Sequence, residues 1–450
     1  MFKTVFMKRM FLLFLAVSAV ALSSCKKDGT PGLEWNPKWS HDSNGKTMHE
    51  SADVATDWYN LQLRILLERN SAFNGVHFAY IGIGLYESVR HGIKNSVSLS
   101  TKLNQMPVMP GKENNNGYNW EVSANAALAS MVRQFFQGLT DENKASIDSL
   151  ENAYNQKNNG SVSTTFKRSQ TFGKSIADAI YKWYLTDNLN GSNIGYVLPS
   201  AFPGSWVPTP PALVPIPVNP FLGASRTFLA SNTTTVAPPF SATYSENPNS
   251  DFYKIVKHVY DVSTNLTQEQ KNIALFFVDQ GNGLGYTPPG HDFKMLTQAI
   301  EQNGVDLGTA AEAYAKGGIA ERDGSIVCFR SKYVYHLLRP ITYIRKLIDP
   351  NWLSFIPTPP HPEYPAAHAF ITGTVMQAAA RVLGNNVAFT DHSYDFRGYA
   401  PRSFKSLFAG GEEAGISRLY GGIHYQPSIN TGLAMAKEIG NRIGDIKLHD

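Results

Sequence analysis

Five side chains in the last third of the 450-residue chain have the charge and donor types needed to hold a tetrahedral oxyanion: Lys332, Arg339, His368, Arg418 and His424. Two guanidinium forks and one ammonium neutralise such an anion, and the planar forks match paired oxygens. An imidazole nitrogen can act as metal ligand, nucleophile or proton carrier. Lys332 and Arg339 stand seven residues apart, nearly two turns of a continuous α-helix, which predicts both cations on one face with Pro340 ending or kinking the helix.

The second segment, His361-Pro362-Glu363-Tyr364-Pro365-Ala366-Ala367-His368, leads into the apolar run Ala369 to Leu383. Pro365 suits the first position of a helix, and unpaired amides at a helix N-terminus, that of Ala367 among them, form a ready anion site. In the third segment, Ser417-Arg418-Leu419-Tyr420-Gly421-Gly422-Ile423-His424, the arginine and the second histidine are six apart. On a regular helix that spacing points them about 120° apart, so Gly421 and Gly422 must bend the backbone if the two are to converge. Taken singly, each segment also reads as something ordinary: a solvated helix face, a satisfied junction histidine, a plain helix end.

The elements that must position these groups are helical. Trp58, Leu61, Ile65 and Leu66 recur at helical spacing from about Ala52 onward, and Ala79 to Tyr86 is apolar nearly all round, as in a buried core helix. Periodicity predicts further helices over Asn119 to Gly138, Glu142 to Gln156, Thr165 to Leu185, Tyr253 to Tyr260, Thr267 to Val278 and Asp292 to Asn303. The series continues with Leu307 to Ile319, Gly324 to Leu338, Ala367 to Leu383 and Asn430 to Ile446. Between about Asn190 and Ser250 the sequence turns to Pro, Asn, Ser, Thr and aromatic residues, which predicts a long wrapped cover near a site entrance. With no alternating strand and turn pattern and no fixed repeat, the fold class is all-α: a helical bundle over 46–450 with the anion pocket in 325–430.

At the start of the chain, Lys3, Lys8 and Arg9 precede the apolar stretch Met10 to Leu22, which is short for a membrane span and reads as a secretory signal. Leu22-Ser23-Ser24-Cys25 resembles a bacterial lipobox: 1–24 would be removed, Cys25 acylated, and 25–45 left as a polar tether. The expected setting is secretion across the inner membrane and lipid anchoring in the bacterial envelope, periplasmic or at the cell surface. Cys328 would then be the remaining thiol, so no intramolecular disulfide is expected. A net charge of +4 without a dense basic run gives no sign of nucleic-acid binding.

In order, Lys-x6-Arg-Pro, Pro-x-x-His and Ser-Arg-x5-His resemble the three-part signature of vanadium haloperoxidases and the related type 2 phosphatidic acid phosphatases. The likeness to bacterial lipoprotein members extends over roughly Trp58 to the C-terminus, through segments such as Tyr286-Thr287-Pro288-Pro289-Gly290-His291 and Ile356-Pro357-Thr358-Pro359-Pro360. The resemblance implies vanadate as cofactor, held by Lys332, Arg339, Ala367 and Arg418. His424 would be the axial ligand to vanadium, or the attacking group in a phosphatase, and His368 the acid–base residue. Asp279 resembles an acid that family members place behind the site, and also reads as a turn residue. His361 stands where bromo- and iodoperoxidases carry histidine, which points to bromide or iodide.

Two positions depart from the family. Ala366 stands where a serine hydroxyl is usual, and Ser428 where an acid normally follows the last histidine. Loss of one hydrogen bond to a charged oxygen, worth roughly 1.5–3 kcal/mol, predicts an anion site weakened by about ten- to a hundredfold. Three functions therefore compete. A haloperoxidase would use hydrogen peroxide and halide; a phosphatase would cleave a phosphate ester through a phosphohistidine; a degenerate lipoprotein would bind an oxyanion without turnover. Membrane contact is expected through the lipid anchor alone, and the oligomeric state stays open.

Overall fold

A computed structural model describes residues 50–68, 75–113, 116–158, 163–187, 193–281 and 284–449. The leader, Cys25 and the tether lie outside the described residues, as do Asn282 and Gly283 after Asp279. Within the described residues the chain forms α1 (Asp53–Glu68), α2 (Val76–Val89), α3 (Trp120–Phe135), α4 (Asp141–Lys157), α5 (Thr164–Tyr184), α6 (Asp251–Thr264) and α7 (Gln268–Phe276). It continues with α8 (Pro288–Asn303), α9 (Leu307–Tyr335), α10 (Pro340–Leu347), α11 (Ala367–Leu383), β1 (Phe389–Asp391), β2 (Arg402–Phe404), α12 (Leu407–Tyr420) and α13 (Gln426–Gly444). None of these helices is long and apolar enough to cross a membrane.

The central element is α9, buried on nearly every side and flanked by α2 and α11. Its crossing with α2 depends on small residues on both helices. A Cβ on Gly82 would lie 2.4 Å from the Tyr314 carbonyl oxygen, and one on Gly318 would lie 2.6 Å from Ala79 Cα, so side chains at either point would force the helices apart. The sequence reads as two helices, Leu307 to Ile319 and Gly324 to Leu338, where the structure has one continuous helix that runs through Gly317, Gly318 and Gly324. Burial outweighs the roughly 1 kcal/mol that a helical glycine costs.

The cover segment, described from residue 193, has no long helix and is tied along α9. The Asp323 carboxylate accepts from the amides of Phe228 and Leu229 and from Asn232, while Arg330 donates to the carbonyls of Gly223, Asn232 and Thr235. Further along, the Val218 amide donates to the Pro360 carbonyl and Tyr364 Oη to the Pro238 carbonyl. These bonds bring the cover against the residues just ahead of α11.

Besides the unbroken α9 and the helices α10 and α12, which the sequence reading did not predict, three features differ from it. The first is the antiparallel β1–β2 pair, whose three-residue strands are too short to show alternation. The second is the start of α13, four residues ahead of Asn430, with Pro427 in its first turn. The third concerns the cationic pair: α9 stops at Tyr335 because His336 turns left-handed at φ 48° and its amide closes on the Lys332 carbonyl. Arg339 is the N-cap of α10, with Pro340 at its first position. Lys332 and Arg339 are thus on different elements, and a turn rather than a shared helix face brings them together.

Candidate active site

Lys332, in the last turn of α9, is fully buried and donates to three carbonyls: Pro362 at 3.0 Å, Glu363 at 2.8 Å and Pro365 at 2.5 Å. An ammonium has three N–H groups, so these bonds use all of them. Its charge serves the pocket while its hydrogen bonds wrap the 362–365 loop around the helix end. Arg339 is equally buried. Nε donates to the His361 carbonyl at 2.9 Å, Nη1 to the Ile423 carbonyl at 2.9 Å and to His424 Nε2 at 3.0 Å, and Nη2 to His361 Nδ1 at 3.1 Å.

Pro365 lies two residues ahead of the first helical position rather than at it. Ala366, extended at φ −69°, ψ 115°, is the N-cap of α11, and the Pro365 carbonyl is turned to Lys332. A methyl group cannot cap a helix. The amides of Ala367, His368 and Ala369 accordingly have no hydrogen-bond partner among the described residues. Free amides at the start of a helix this long are the donor set an anion meets at a helix N-terminus.

At the far side α12 ends at Tyr420. Gly421 caps it, Gly422 takes φ 75°, and His424 lies beyond the helix, so the glycine pair makes the bend that a regular helix would deny. His424 Nδ1 is 2.8 Å from Glu363 Oε1, which also accepts from the Tyr425 amide at 2.9 Å; Glu363 Oε2 accepts from Ser428 Oγ at 2.6 Å. Arginine carries donors alone, so its contact with His424 Nε2 requires a lone pair there and places the proton on Nδ1, facing Glu363. Glu363 is the residue that sequence reasoning missed. The carboxylate lacking at position 428 comes from the middle segment, and Ser428 holds it.

Arg418, 2% exposed, gives Nη1 to the Phe277 carbonyl, and its buried Nε has no partner among the described residues. His368, in the first turn of α11, contacts Asp279 Oδ2 through Nε2 at 3.1 Å. Asp279 sits just after α7 in the left-handed region at φ 48°. Its Oδ1 accepts from Tyr394 Oη at 2.6 Å and from His291 Nδ1 at 2.9 Å, and His291 Nε2 is 2.9 Å from Asp391 Oδ2. Sequence reasoning singled out the segment ending at His291 but gave it no role. Asp391 offered no signal, because it sits in one of the short strands.

Burial is the largest influence on these groups. It lowers the Arg339 and Arg418 guanidiniums to about 10, still fully charged near neutrality, and pulls the Lys332 ammonium down and the Glu363 carboxyl up. Burial, reinforced by the neighbouring cations, holds His361 and His424 well below the usual histidine range and His368 down to about 4. Three neutral imidazoles therefore face three cations. A buried cationic pocket with an unpartnered guanidinium Nε, an uncapped helix and a neutral imidazole lone pair has the donor set for a tetrahedral oxyanion. His361, 8% exposed and 5.4 Å from the Phe329 ring, lines the same pocket.

Comparison with known proteins matches this region. Residues 312–447 match the family described as the VCPO second helical-bundle domain. Across the fold, the chain is similar to a solved bacterial vanadium-dependent iodoperoxidase, with TM-score 0.79 and 28% identity over 89% of this chain and 98% of that one. Holo- and apo-type structures of a bacterial vanadium-dependent chloroperoxidase share the fold at TM-scores 0.60 and 0.59, each with 15% identity over 91% of this chain and 96% of theirs. No curated protein matches the sequence.

Proposed function

For this chain, which belongs to the vanadium haloperoxidase superfamily, we propose a vanadate-dependent enzyme that oxidises iodide or bromide with hydrogen peroxide. The observation that carries the reading is the state of His424: a neutral imidazole, fixed through Nδ1 by Glu363, with its Nε2 lone pair inside the cationic pocket. Bound vanadate supplies Lewis acidity that activates hydrogen peroxide toward a halide without net change at the metal.

The chain's own residues supply the rest. His424 Nε2, whose lone pair accepts from Arg339 Nη1, would be the ligand nitrogen, and that N–H would then turn to the oxyanion. Arg418 Nε, the remaining Arg339 N–H and the α11 amides would donate to the oxyanion, and Lys332 would contribute charge from behind the 362–365 loop. His368, neutral at rest and donating its Nε2–H to Asp279, keeps a lone pair on Nδ1 that would take a proton from hydrogen peroxide and return it to the departing water oxygen. His361 Nδ1 faces Arg339 and its ring edges the pocket, which supports a role in receiving a large, polarisable halide. Likeness to the iodoperoxidase structure favours iodide.

The test is vanadate titration into vanadate-free protein, followed by iodide and bromide oxidation with hydrogen peroxide. Activity should rise with vanadate occupancy and vanish in His424→Ala. Inactivity with both halides at saturating vanadate would refute the reading, and aryl phosphate hydrolysis by vanadate-free protein would replace it with phosphohistidine chemistry. We also propose that Cys25 is acylated and tethers the enzyme in the cell envelope; mass measurement of the mature N-terminus tests this.

A further inference from the structure

Behind His368 lies a second histidine that the proposed reaction leaves unused. His291 is 1% exposed, sits in the first turn of α8 and has a carboxylate at each ring nitrogen: Asp279 at Nδ1 and Asp391 at Nε2, both at 2.9 Å. Each carboxylate is supplied with donors from elsewhere. Asp279 receives Tyr394 Oη and His368, while Asp391 receives the Ser393 amide, Ser393 Oγ and Gln298 Nε2. Groups so surrounded by donors are ionised, and an ionised carboxylate can only accept. Both ring nitrogens of His291 must then carry protons, making it a buried imidazolium.

Aromatic rings close the site. Phe277 stacks on His291 at 5.1 Å, with Phe276 and Tyr394 at 5.6 and 5.1 Å. The other charged or titratable groups acting on the triad are Asp292, whose carboxyl is pushed up by burial and by Glu321, Arg418, which acts on Asp279, and Lys294 and Tyr286, which act on Asp391. Inside this low-dielectric shell a fixed charge acts strongly on its neighbours.

We propose that His291 is a positioning residue: held as a cation between Asp279 and Asp391, it counterbalances the carboxylate that His368 leans on and so keeps His368 a neutral acid–base group. The inference rests on the proposed role of His368 and extends it by two residues. Asp279 with a lone histidine partner would hold that histidine as a cation, which could not take up a further proton. Sharing Asp279 with a permanent cation limits its pull on His368, and the direction agrees with the depressed proton affinity of His368, to which His291 contributes. Asp391 then has the task of keeping His291 charged, and β1 exists to deliver it.

The test is magnetic resonance of vanadate-free, histidine-labelled full-length protein, which does not depend on halide turnover. In the parent, both His291 nitrogens should be protonated from pH 5 to 9. His291→Asn keeps a donor toward Asp279 but removes the charge, and it should raise the His368 titration midpoint by about one pH unit or more. Asp391→Asn should move it the same way, and the double variant no further than the larger single shift. A merely structural role would lower the thermal midpoint and leave the His368 titration in place. A neutral His291 in the parent, which needs no substitution to detect, or an unmoved His368 in either folded variant would overturn the proposal. If the His368 shift appears but halides are not oxidised, the relay stands and the haloperoxidase reading fails.

Discussion

Placing an acid at position 428, where relatives of this signature carry one, should damage this protein. Ser428 Oγ sits 2.6 Å from Glu363 Oε2, and both residues are fully buried. Aspartate there would bring a second carboxylate within about 3 Å, where two like charges repel by roughly 5 kcal/mol at an effective dielectric of 20. The pair would relieve this by retaining a proton, so the net loss near pH 8 should be about 3–4 kcal/mol, shrinking toward pH 5. A protonated Glu363 could also donate to His424 Nδ1, shifting the imidazole proton to Nε2 and removing the lone pair that faces Arg339. Vanadate affinity should therefore fall with stability. Glu363→Gln alone should cost about 1–2 kcal/mol, because its amide oxygen can still face His424 while its nitrogen faces Ser428. The combined Glu363→Gln, Ser428→Asp protein regains a single carboxylate, and its coupling energy should be about 2–3 kcal/mol in favour. Urea unfolding of vanadate-free protein at pH 8 and pH 5, with vanadate titration of each variant, measures all three quantities. If Ser428→Asp is as stable as the parent and binds vanadate equally well, Glu363 is not the carboxylate that takes the place of the missing acid.

Ala366→Ser supplies the hydroxyl absent from the N-cap of α11, and should tighten vanadate binding about tenfold while adding up to about 1 kcal/mol of stability, read by titration and denaturant unfolding. Gly422→Ala places a Cβ 3.1 Å from Trp352 Cζ2 at φ 75°, so a loss of about 1–2 kcal/mol is expected, with weaker vanadate binding because His424 shifts. Acid should destabilise the fold steeply. His361, His368 and His424 have folded proton affinities below their unfolded value of 6.5, so their contribution is present above that pH and is lost as pH falls through 6.5 toward 4, at up to about 1.4 kcal/mol per pH unit each. His291 has the opposite sign, raised above 6.5, and gives up its contribution only on the alkaline side. A denaturation midpoint unchanged between pH 7 and pH 5 would contradict this account.

Periodicity was enough to read the all-α class and most of the helices, because α2, α3, α5 and α11 bury broad apolar faces. It failed where tertiary packing sets the rule. The gap read between Ile319 and Gly324 lies inside one continuous α9, whose Gly318 meets α2, and the end of α9 at Tyr335 depends on the left-handed His336. In the pocket, residue type, spacing and the family resemblance singled out Lys332, Arg339, His368, Arg418 and His424. They could not reveal Glu363, an acid in a proline-rich loop whose importance comes from meeting His424 and Ser428 across 61 and 65 residues of sequence. His291 and Asp391 were hidden for the same reason, their partnership spanning 100 residues.

The two departures from the signature have different physical consequences. Ala366 removes a hydroxyl but leaves the first-turn amides of α11 free, so directional donors toward the oxyanion remain. Ser428 removes an acid near His424, while Glu363, hydrogen-bonded to Ser428, reaches the imidazole in its place from the 362–365 loop, which Lys332 holds by three carbonyl bonds. Lys332 is thus tied to His424 through the loop as well as through charge. A shorter or neutral side chain at 332 would release Glu363, and with it the tautomer of His424, before it changed the net charge that an anion meets. Substituting Lys332 should accordingly disturb His424 even in protein that has never bound vanadate, whereas substituting Arg418, whose Nε has no partner among the described residues, should be felt mainly when an anion is present.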